Sequence, residues 1–274
     1  MEFTKKKALG QNFLTSDNIP IRIASVCGAD ENTGVIEIGP GMGILTKQLL
    51  NISPKVVAIE IDEELIPHLN SRFEGCDNFN LINQDVIKCD LDGIIETEFG
   101  GMECCVCANL PYYITTPIVM KLLEGKYNFK SITVMVQKEV ADRLAAKPKE
   151  EGYGAITASV NYYAKVVKHF KVGAANFSPK PKVDSAVISI IPYKDRPVKP
   201  ICEKTFFEVV KGAFATRRKT LVNSLSSVFG NRLSKEALLS IITESHSPTV
   251  RGEELNVAEL ALISDKIQKH IQEE

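Results

Sequence analysis

The run Asn109-Leu110-Pro111-Tyr112 carries the sharpest chemistry in the chain. An exocyclic adenine amine is a weak nucleophile, because its lone pair is delocalised into the ring. The amide oxygen of Asn109 and a main-chain carbonyl, that of Leu110 first among them, can accept from its two N–H groups. Such bonds steer the nitrogen toward tetrahedral geometry. Pro111 fixes the turn that presents the carbonyl, and Tyr112 offers a stacking face to a base taken out of its helix. A sulfonium methyl donor already carries a good leaving group, so orientation is the main contribution a catalyst must make. The chemistry calls for neither a metal nor a strong base. The bland alternative is a strand that ends in an Asn-Pro-type turn.

A second constellation precedes it. Gly39-Pro40-Gly41-Met42-Gly43 follows an apolar run and opens a helical one. Glycines there let the backbone turn tightly and pass close to a ligand. A nicotinamide fingerprint would place its third glycine at position 44, which is Ile44. The GxGxG spacing fits S-adenosylmethionine (SAM) better, since SAM has no pyrophosphate to seat on the helix. Glu60 stands 21 positions after Gly39, where a carboxylate can accept both ribose hydroxyls. Asp85 can accept from the adenine amino group, and Val86 and Ile87 can pack on the ring. With Gly41 and Ile61 these residues form the candidate cofactor set. Taken singly, Glu60 reads equally well as surface charge and Asp85 as a turn cap. Together, Gly39, Glu60, Asp85 and Asn109 end four successive strand candidates, and in a parallel sheet those ends face one crevice.

The elements that must position these residues alternate. Strands are expected at Val35–Gly39, Val56–Ile61, Asn80–Asp85, Cys104–Leu110 and Ile132–Gln137. Helical stretches fall between them, at Gly43–Leu50, Glu63–Arg72 and Pro117–Leu123. Pro67 sits awkwardly in the second. The third has Thr116 as its expected N-cap, Pro117 at the first helical position and Gly125 past its end. This alternation specifies an α/β fold with a doubly wound, Rossmann-like parallel sheet. Lys165–Val172 and Ser185–Tyr193, joined by a Pro-rich loop, should add an antiparallel edge. Asp195 to Pro200 suits a linker. Beyond it Glu203–Ala215, Arg217–Phe229, Lys235–Thr243 and Val257–Ile271 read as a small all-helical domain, with Asn256 and Glu259 as a capping box for the last helix. The expected domains are thus 1–194 and 195–274.

Composition narrows the partners. The 274 residues include 33 Lys and Arg against 34 Asp and Glu, a net charge of −1, so a nucleic acid would have to be held by local basic patches. Lys5–Lys7, Lys147 with Lys149, Lys180 with Lys182, and Arg217-Arg218-Lys219 are candidates, though each alone is commonly a solvated face. Seven cysteines at irregular positions include a formal CxxC at Cys104 and Cys107. No second pair completes a zinc site, and the run Cys104–Ala108 reads as a buried strand. His68, His169, His246 and His270 are scattered. No apolar run approaches the ~20 residues that span a bilayer, and no h-region follows the basic N-terminus. A cytoplasmic protein with no membrane partner and no metal is expected.

The chain resembles the ribosomal RNA adenine dimethyltransferases, in particular their bacterial small-subunit branch, the kasugamycin-resistance type. The likeness runs through Lys6–Leu14, Glu37–Gly43, Asn109–Pro117, Phe177–Ser185 and Arg251–Leu255. It implies a class I SAM methyltransferase whose cofactor contacts fall on Asn12, Leu14, Gly39, Glu60, Asp85 and Asn109. It implies base contacts at Asn109, Leu110, Tyr112 and Phe177. Asn12 stands where some members have histidine. The activity implied is N6,N6-dimethylation of two adjacent adenosines near the 3′ end of 16S rRNA, on the small (30S) subunit, by a monomer whose helical domain binds RNA. Macrolide-resistance relatives that modify large-subunit RNA share the core run, but Phe177–Ser185 and Arg251–Leu255 look more like the small-subunit branch. A duplex-DNA adenine methyltransferase would need a larger target-reading domain than the 80 residues after position 194. A mainly non-catalytic checkpoint in ribosome assembly is the other class of reading.

Overall fold

A computed structural model describes residues 12–125 and 127–273. Lys5–Lys7 and the first part of the Lys6–Leu14 run lie outside them. The chain divides into two compact units. The first runs to Ala141 and takes in Lys165–Pro192; the second holds Asp142–Ala164 and everything from Tyr193 onward. The second unit therefore draws a segment from before position 194, which the linear reading had given to the first domain.

The first unit begins with β1 (Phe13–Leu14) and α1 (Asn18–Ala24). Four βα steps follow. They are β2 (Thr33–Ile38) with α2 (Ile44–Leu50), β3 (Val56–Glu60) with α3 (Ile66–Arg72), β4 (Phe79–Asn83) with α4 (Leu91–Phe99), and β5 (Glu103–Asn109) with α5 (Thr115–Glu124). Next come β6 (Phe129–Gln137) and α6 (Lys138–Leu144). After α7 (Ala155–Tyr163), β7 (Ala164–Val172), β8 (Phe177–Ser178) and β9 (Ser185–Pro192) complete the unit's strands. Seven strands form one sheet in the order β4-β3-β2-β5-β6-β9-β7. The pairs from β4 through β6 are parallel, and β9 runs antiparallel to β6. β1 and β8 form a separate antiparallel pair. The doubly wound sheet with an antiparallel addition is the expected one.

The central strands are buried along their whole length in β2 and β3, as strands covered on both faces must be. Cys104, Cys105 and Cys107 are buried, free thiols on β5, and they fill the core as small hydrophobes. Pro67 is accommodated because a 3₁₀ turn, Glu63–Leu65, precedes α3, and the proline then falls in the first turn of the α-helix. First-turn N–H groups have no intrahelical partner, so the missing donor costs nothing there. α5 starts at Thr115 rather than after a Thr116 cap, because the Thr115 hydroxyl donates to the Pro111 carbonyl at 3.1 Å and extends the turn.

The second unit contains α7, α8 (Glu203–Phe214), α9 (Leu221–Phe229), α10 (Lys235–Thr243) and α11 (Val257–Glu273). Tyr162, Phe206 and Phe207 pack ring against ring between α7 and α8. α9 begins at Leu221, so Arg217-Arg218-Lys219 is not helical; it forms a turn closed by Lys219 N–H on the Thr216 carbonyl. The Asn256–Glu259 capping box is present, at 2.8 and 3.0 Å. The Arg251–Leu255 run has a structural job. A Cβ on Gly252 would lie 2.2 Å from the Ala213 carbonyl oxygen, so only glycine lets this segment pack on α8. The Leu255 carbonyl accepts from the buried Tyr153 hydroxyl at 2.8 Å.

Candidate functional site

The four expected strand ends do converge. A cavity with an accessible volume of about 130 Å³ opens at the carboxyl ends of β2 to β5. Its walls include Asn12, Leu14, Gly39, Gly41, Glu60, Ile61, Asp85, Val86, Asn109, Leu110, Pro111 and Tyr112. Of the sequence-derived set Ile87 is absent from the wall, and so is Phe177. It lies on β8 opposite Leu14 of β1, and its ring packs in the hydrophobic core with Leu14, Ile19 and Ile23.

The glycine loop is shaped by its backbone. Gly39, Gly41 and Gly43 all have positive φ, a region open to glycine and costly for other residues. Gly43 is also sterically required, since a Cβ there would come within 2.7 Å of the Phe73 ring. A Cβ on Gly39 would enter open space. Glu60, 4% exposed, ties the loop to β3: one carboxylate oxygen accepts from Gly41 N–H at 3.2 Å and the other from Asp62 N–H at 2.9 Å. Burial raises its pKa above the usual carboxylate value, and those two N–H bonds offset part of the rise. Each oxygen keeps a further lone-pair direction for a ligand. Asp85 closes its own turn by accepting from Ile87 N–H at 2.9 Å. The same turn is held from α5, where the Lys121 ammonium donates to the carbonyls of Ile87 and Cys89 at 2.8 and 2.9 Å.

On the opposite wall Asn109 ends β5. Its side-chain N–H reaches the Asn12 carbonyl at 3.4 Å, which leaves Oδ1 as an acceptor at the cavity. Leu110 is anchored by its N–H on the Met135 carbonyl at 3.1 Å. Among the described residues no donor occupies the Leu110 carbonyl. Pro111 accepts through its carbonyl from Ile114 N–H at 3.3 Å and from the Thr115 hydroxyl, which locks the turn. Tyr112 is pinned by a 2.9 Å bond to the Ser185 hydroxyl, and burial keeps its phenol protonated by raising the pKa further. Asp184, beside Ser185, accepts from Ala174 N–H and pairs with Lys171 at 2.7 Å, so Phe177–Ser185 braces the site from behind.

The electrostatics of the wall are one-signed. Three carboxyl groups, Glu37, Glu60 and Asp85, line the cavity, and among the described lining residues there is no Lys, Arg or His. A pyrophosphate would be repelled. A ligand with positive charge and hydroxyl donors, as SAM has in its sulfonium, ammonium and ribose, fits this set of acceptors. No group of three or more His, Cys, Asp or Glu side chains among the described residues could hold a metal ion.

Sequence reading missed several wall residues. Glu37 is the clearest, the lone charged residue of the buried β2, 1% exposed. Its Oε2 and the neighbouring Thr46 hydroxyl each complete no hydrogen bond. A carboxyl at a buried strand position was itself the signal. Phe13, whose ring lies over Gly41, and Tyr113 were also missed.

Comparison with known proteins places this geometry. The profile of ribosomal RNA adenine dimethylases matches residues 2–257. The chain belongs to that family. Within it, the chain is 46% identical to the ribosomal RNA small subunit methyltransferase A of Shouchella clausii, over 97% of this chain and 90% of that one. It is 45% identical to the protein of the same name from a Geobacillus strain, over 97% and 92%. Among solved structures, a dimethyladenosine transferase from Plasmodium falciparum superposes with a TM-score of 0.80 at 26% identity, covering 94% of this chain and 98% of that one. The 23S rRNA methyltransferase ErmE gives 0.72 at 21% identity, over 94% and 100%, which is a likeness of fold. The family's fold, a class I methyltransferase sheet followed by helices, is the one described above.

Proposed function

We infer that this chain transfers methyl groups from SAM to adenine N6 amines of small-subunit ribosomal RNA, converting two adjacent adenosines near the 3′ end of 16S rRNA to the N6,N6-dimethyl form. The observation that carries the reading is the cavity itself. A carboxyl-lined, cation-free wall at the ends of β2 to β4 faces a turn on β5 whose Asn109 Oδ1 and Leu110 carbonyl are both left as acceptors.

SAM, when bound, supplies a methyl group on a positively charged sulfur that leaves as a neutral thioether. Glu60 would hold the ribose hydroxyls and Asp85 the adenine amine. Ile61 and Val86 would flank the ring, and Asn12, Leu14, Gly39 and Gly41 would close around the remainder. Asn109 Oδ1 and the Leu110 carbonyl accept from the two N–H groups of the target amine and aim its lone pair. Such bonds strengthen as the nitrogen becomes tetrahedral, so they lower the barrier more than they tighten binding. Tyr112, fixed by Ser185, offers its face to the flipped base. After the first transfer one N–H remains, and one acceptor suffices to orient it for the second. Phe177 acts through Leu14, by holding β1 against β8, because its ring is in the core.

RNA would be held through basic patches that the fold gathers. In the second unit Arg217 donates to the Glu151 carbonyl at 2.6 Å and lies 3.6 Å from Glu253, and Lys149 N–H donates to the Glu253 carbonyl. Lys147, Lys149, Arg218 and Lys219 are exposed around that junction, a cluster suited to phosphates. This supports the second unit as the RNA-holding part. The small-subunit assignment rests on the names of relatives 45–46% identical to the chain, whereas ErmE shares the fold alone. No helix of the described residues is long and apolar enough to cross a membrane; we propose a cytoplasmic monomer that needs no metal. Mass-spectrometric mapping of methylated adenines in ribosomal RNA, with and without the protein, tests the reading. Paired dimethyladenosines confined to 16S rRNA are expected, and methylation confined to 23S rRNA would overturn it.

A further inference from the structure

Tyr113 is a large aromatic side chain that stands 60% exposed on the cavity wall, next to Tyr112. Single exposed aromatics are common on protein surfaces and by themselves mean little. This one differs in how it is held. The turn that carries it is fixed at three points: Ile114 N–H and the Thr115 hydroxyl on the Pro111 carbonyl, and the Tyr112 hydroxyl on Ser185. The ring itself makes no ring pairing and no hydrogen bond among the described residues. A rigid backbone therefore presents a free aromatic face to solvent, at the rim of a site whose inner aromatic is Tyr112.

Basic side chains suited to phosphates stand on the segment tied to this turn. The Tyr112–Ser185 bond ties this turn to the start of β9, and the segment leading into β9 carries exposed Lys180, Lys182 and Val183. Consecutive Cα atoms lie ~3.8 Å apart. Tyr113 is the next residue after Tyr112, which is assigned to the target base, and its solvent-exposed ring is open to a nucleotide of the same strand that stays outside the cavity. Every base has a face that can stack on an aromatic ring, and alanine replacement at such platforms costs ~1–3 kcal/mol.

Building on the methyltransferase reading above, we propose that Tyr113 is the stacking platform for the nucleotide adjacent to the adenine being methylated. When the substrate is a pair of neighbouring adenosines, the one outside the cavity is then held in place while the other reacts. Tyr113 is a positioning and register-setting residue; it orients the RNA and takes no part in the transfer.

The test uses the full-length protein and unmethylated small subunits. Initial rates against subunit concentration are measured for wild type, Tyr113→Phe and Tyr113→Ala, with SAM affinity followed by calorimetry. A second set of subunits is assembled with an abasic nucleotide beside a single target adenine. Tyr113→Ala should lower kcat/KM for intact subunits about tenfold, mainly through KM, with SAM affinity within about twofold; tenfold corresponds to about 1.4 kcal/mol. Tyr113→Phe should retain wild-type rates, because the ring and not the hydroxyl carries the contact. Wild type should lose a similar factor on the abasic subunit, and Tyr113→Ala should lose little more. Wild-type rates for Tyr113→Ala would overturn the proposal, as would equal losses for Phe and Ala, or losses that multiply when the variant meets the abasic subunit. A wild type that methylates no small-subunit adenine would overturn the reading beneath it and the platform with it; normal wild-type rates with an indifferent Tyr113 would overturn the platform alone.

Discussion

Replacing Glu37 by glutamine should stabilise the protein at pH 8 and leave it nearly unchanged at pH 4. Glu37 is fully buried in β2, with one carboxyl oxygen unbonded. Burial is the main reason its pKa is pushed from 4.5 up to about 8, and the nearby Glu60 carboxyl adds to the rise. Thr46 lies close enough to favour the ionised form somewhat, but it completes no hydrogen bond and does not cancel the burial cost. In the unfolded chain the group ionises near 4.5, so between about 4.5 and 8 the folded protein binds more protons than the unfolded one. Stability must then fall as pH rises through that window. The carboxyl's contribution is complete below 4.5 and lost above 8. At up to about 1.4 kcal/mol per pH unit, the whole window is worth roughly 3–5 kcal/mol. Glutamine keeps the shape of the protonated acid and does not titrate. Urea unfolding of both proteins at pH 4, 6 and 8 reads the difference directly. It should be close to zero at pH 4 and grow to several kcal/mol in favour of the variant by pH 8. A difference independent of pH would refute the reasoning, since a carboxyl already ionised in the fold gives no such slope. A cationic occupant of the cavity would also draw this carboxyl toward ionisation. SAM binding near pH 7 should therefore release protons, seen as a calorimetric enthalpy that changes with buffer, and Glu37→Gln should reduce that dependence.

Asn109→Ala should lower kcat at least ~100-fold, the usual effect of removing one transition-state hydrogen bond, with subunit affinity nearly intact; parallel loss of binding and turnover would count against its assigned role. Glu60→Ala should weaken SAM binding by ~1–3 kcal/mol in calorimetry, and an unchanged affinity would remove Glu60 from the cofactor site. Lys121→Met should raise KM for SAM severalfold at little cost in kcat, because it frees the turn that carries Asp85, and Lys121→Arg should restore part of the loss; a fall in kcat alone would contradict this. Changing Lys147, Lys149, Arg218 and Lys219 to glutamine should flatten the salt dependence of subunit binding by up to ~3 in log–log slope, at ~0.7–0.9 per lost phosphate contact. Coincident slopes would show that the junction is only a solvated face.

Local rules in the sequence settled the strand ends and most elements. A parallel sheet obliges successive strand ends to face one crevice, so Gly39, Glu60, Asp85 and Asn109 could be assigned to a single site before any coordinates, and all four line the cavity. The capping box at Asn256 and Glu259 is likewise a four-residue pattern, and it stands as read. What local rules did not carry depended on contacts distant in sequence. Phe177 sits in a run that resembles the family's base-contact segment, yet pairing with Leu14, more than 160 positions earlier, turns its ring into the core. Arg217–Lys219 has acceptable helix propensity, but Arg217 is held by Glu151 and Glu253, and α9 waits until Leu221. Asp142–Ala164 belongs to the helical unit because Tyr162 packs against Phe206 and Phe207, a choice between partners that no periodicity records. The lone acid in β2 was visible in the sequence all along; only tertiary burial, which strips water from its carboxyl without supplying a full set of partners, makes Glu37 a titrating group near neutral pH.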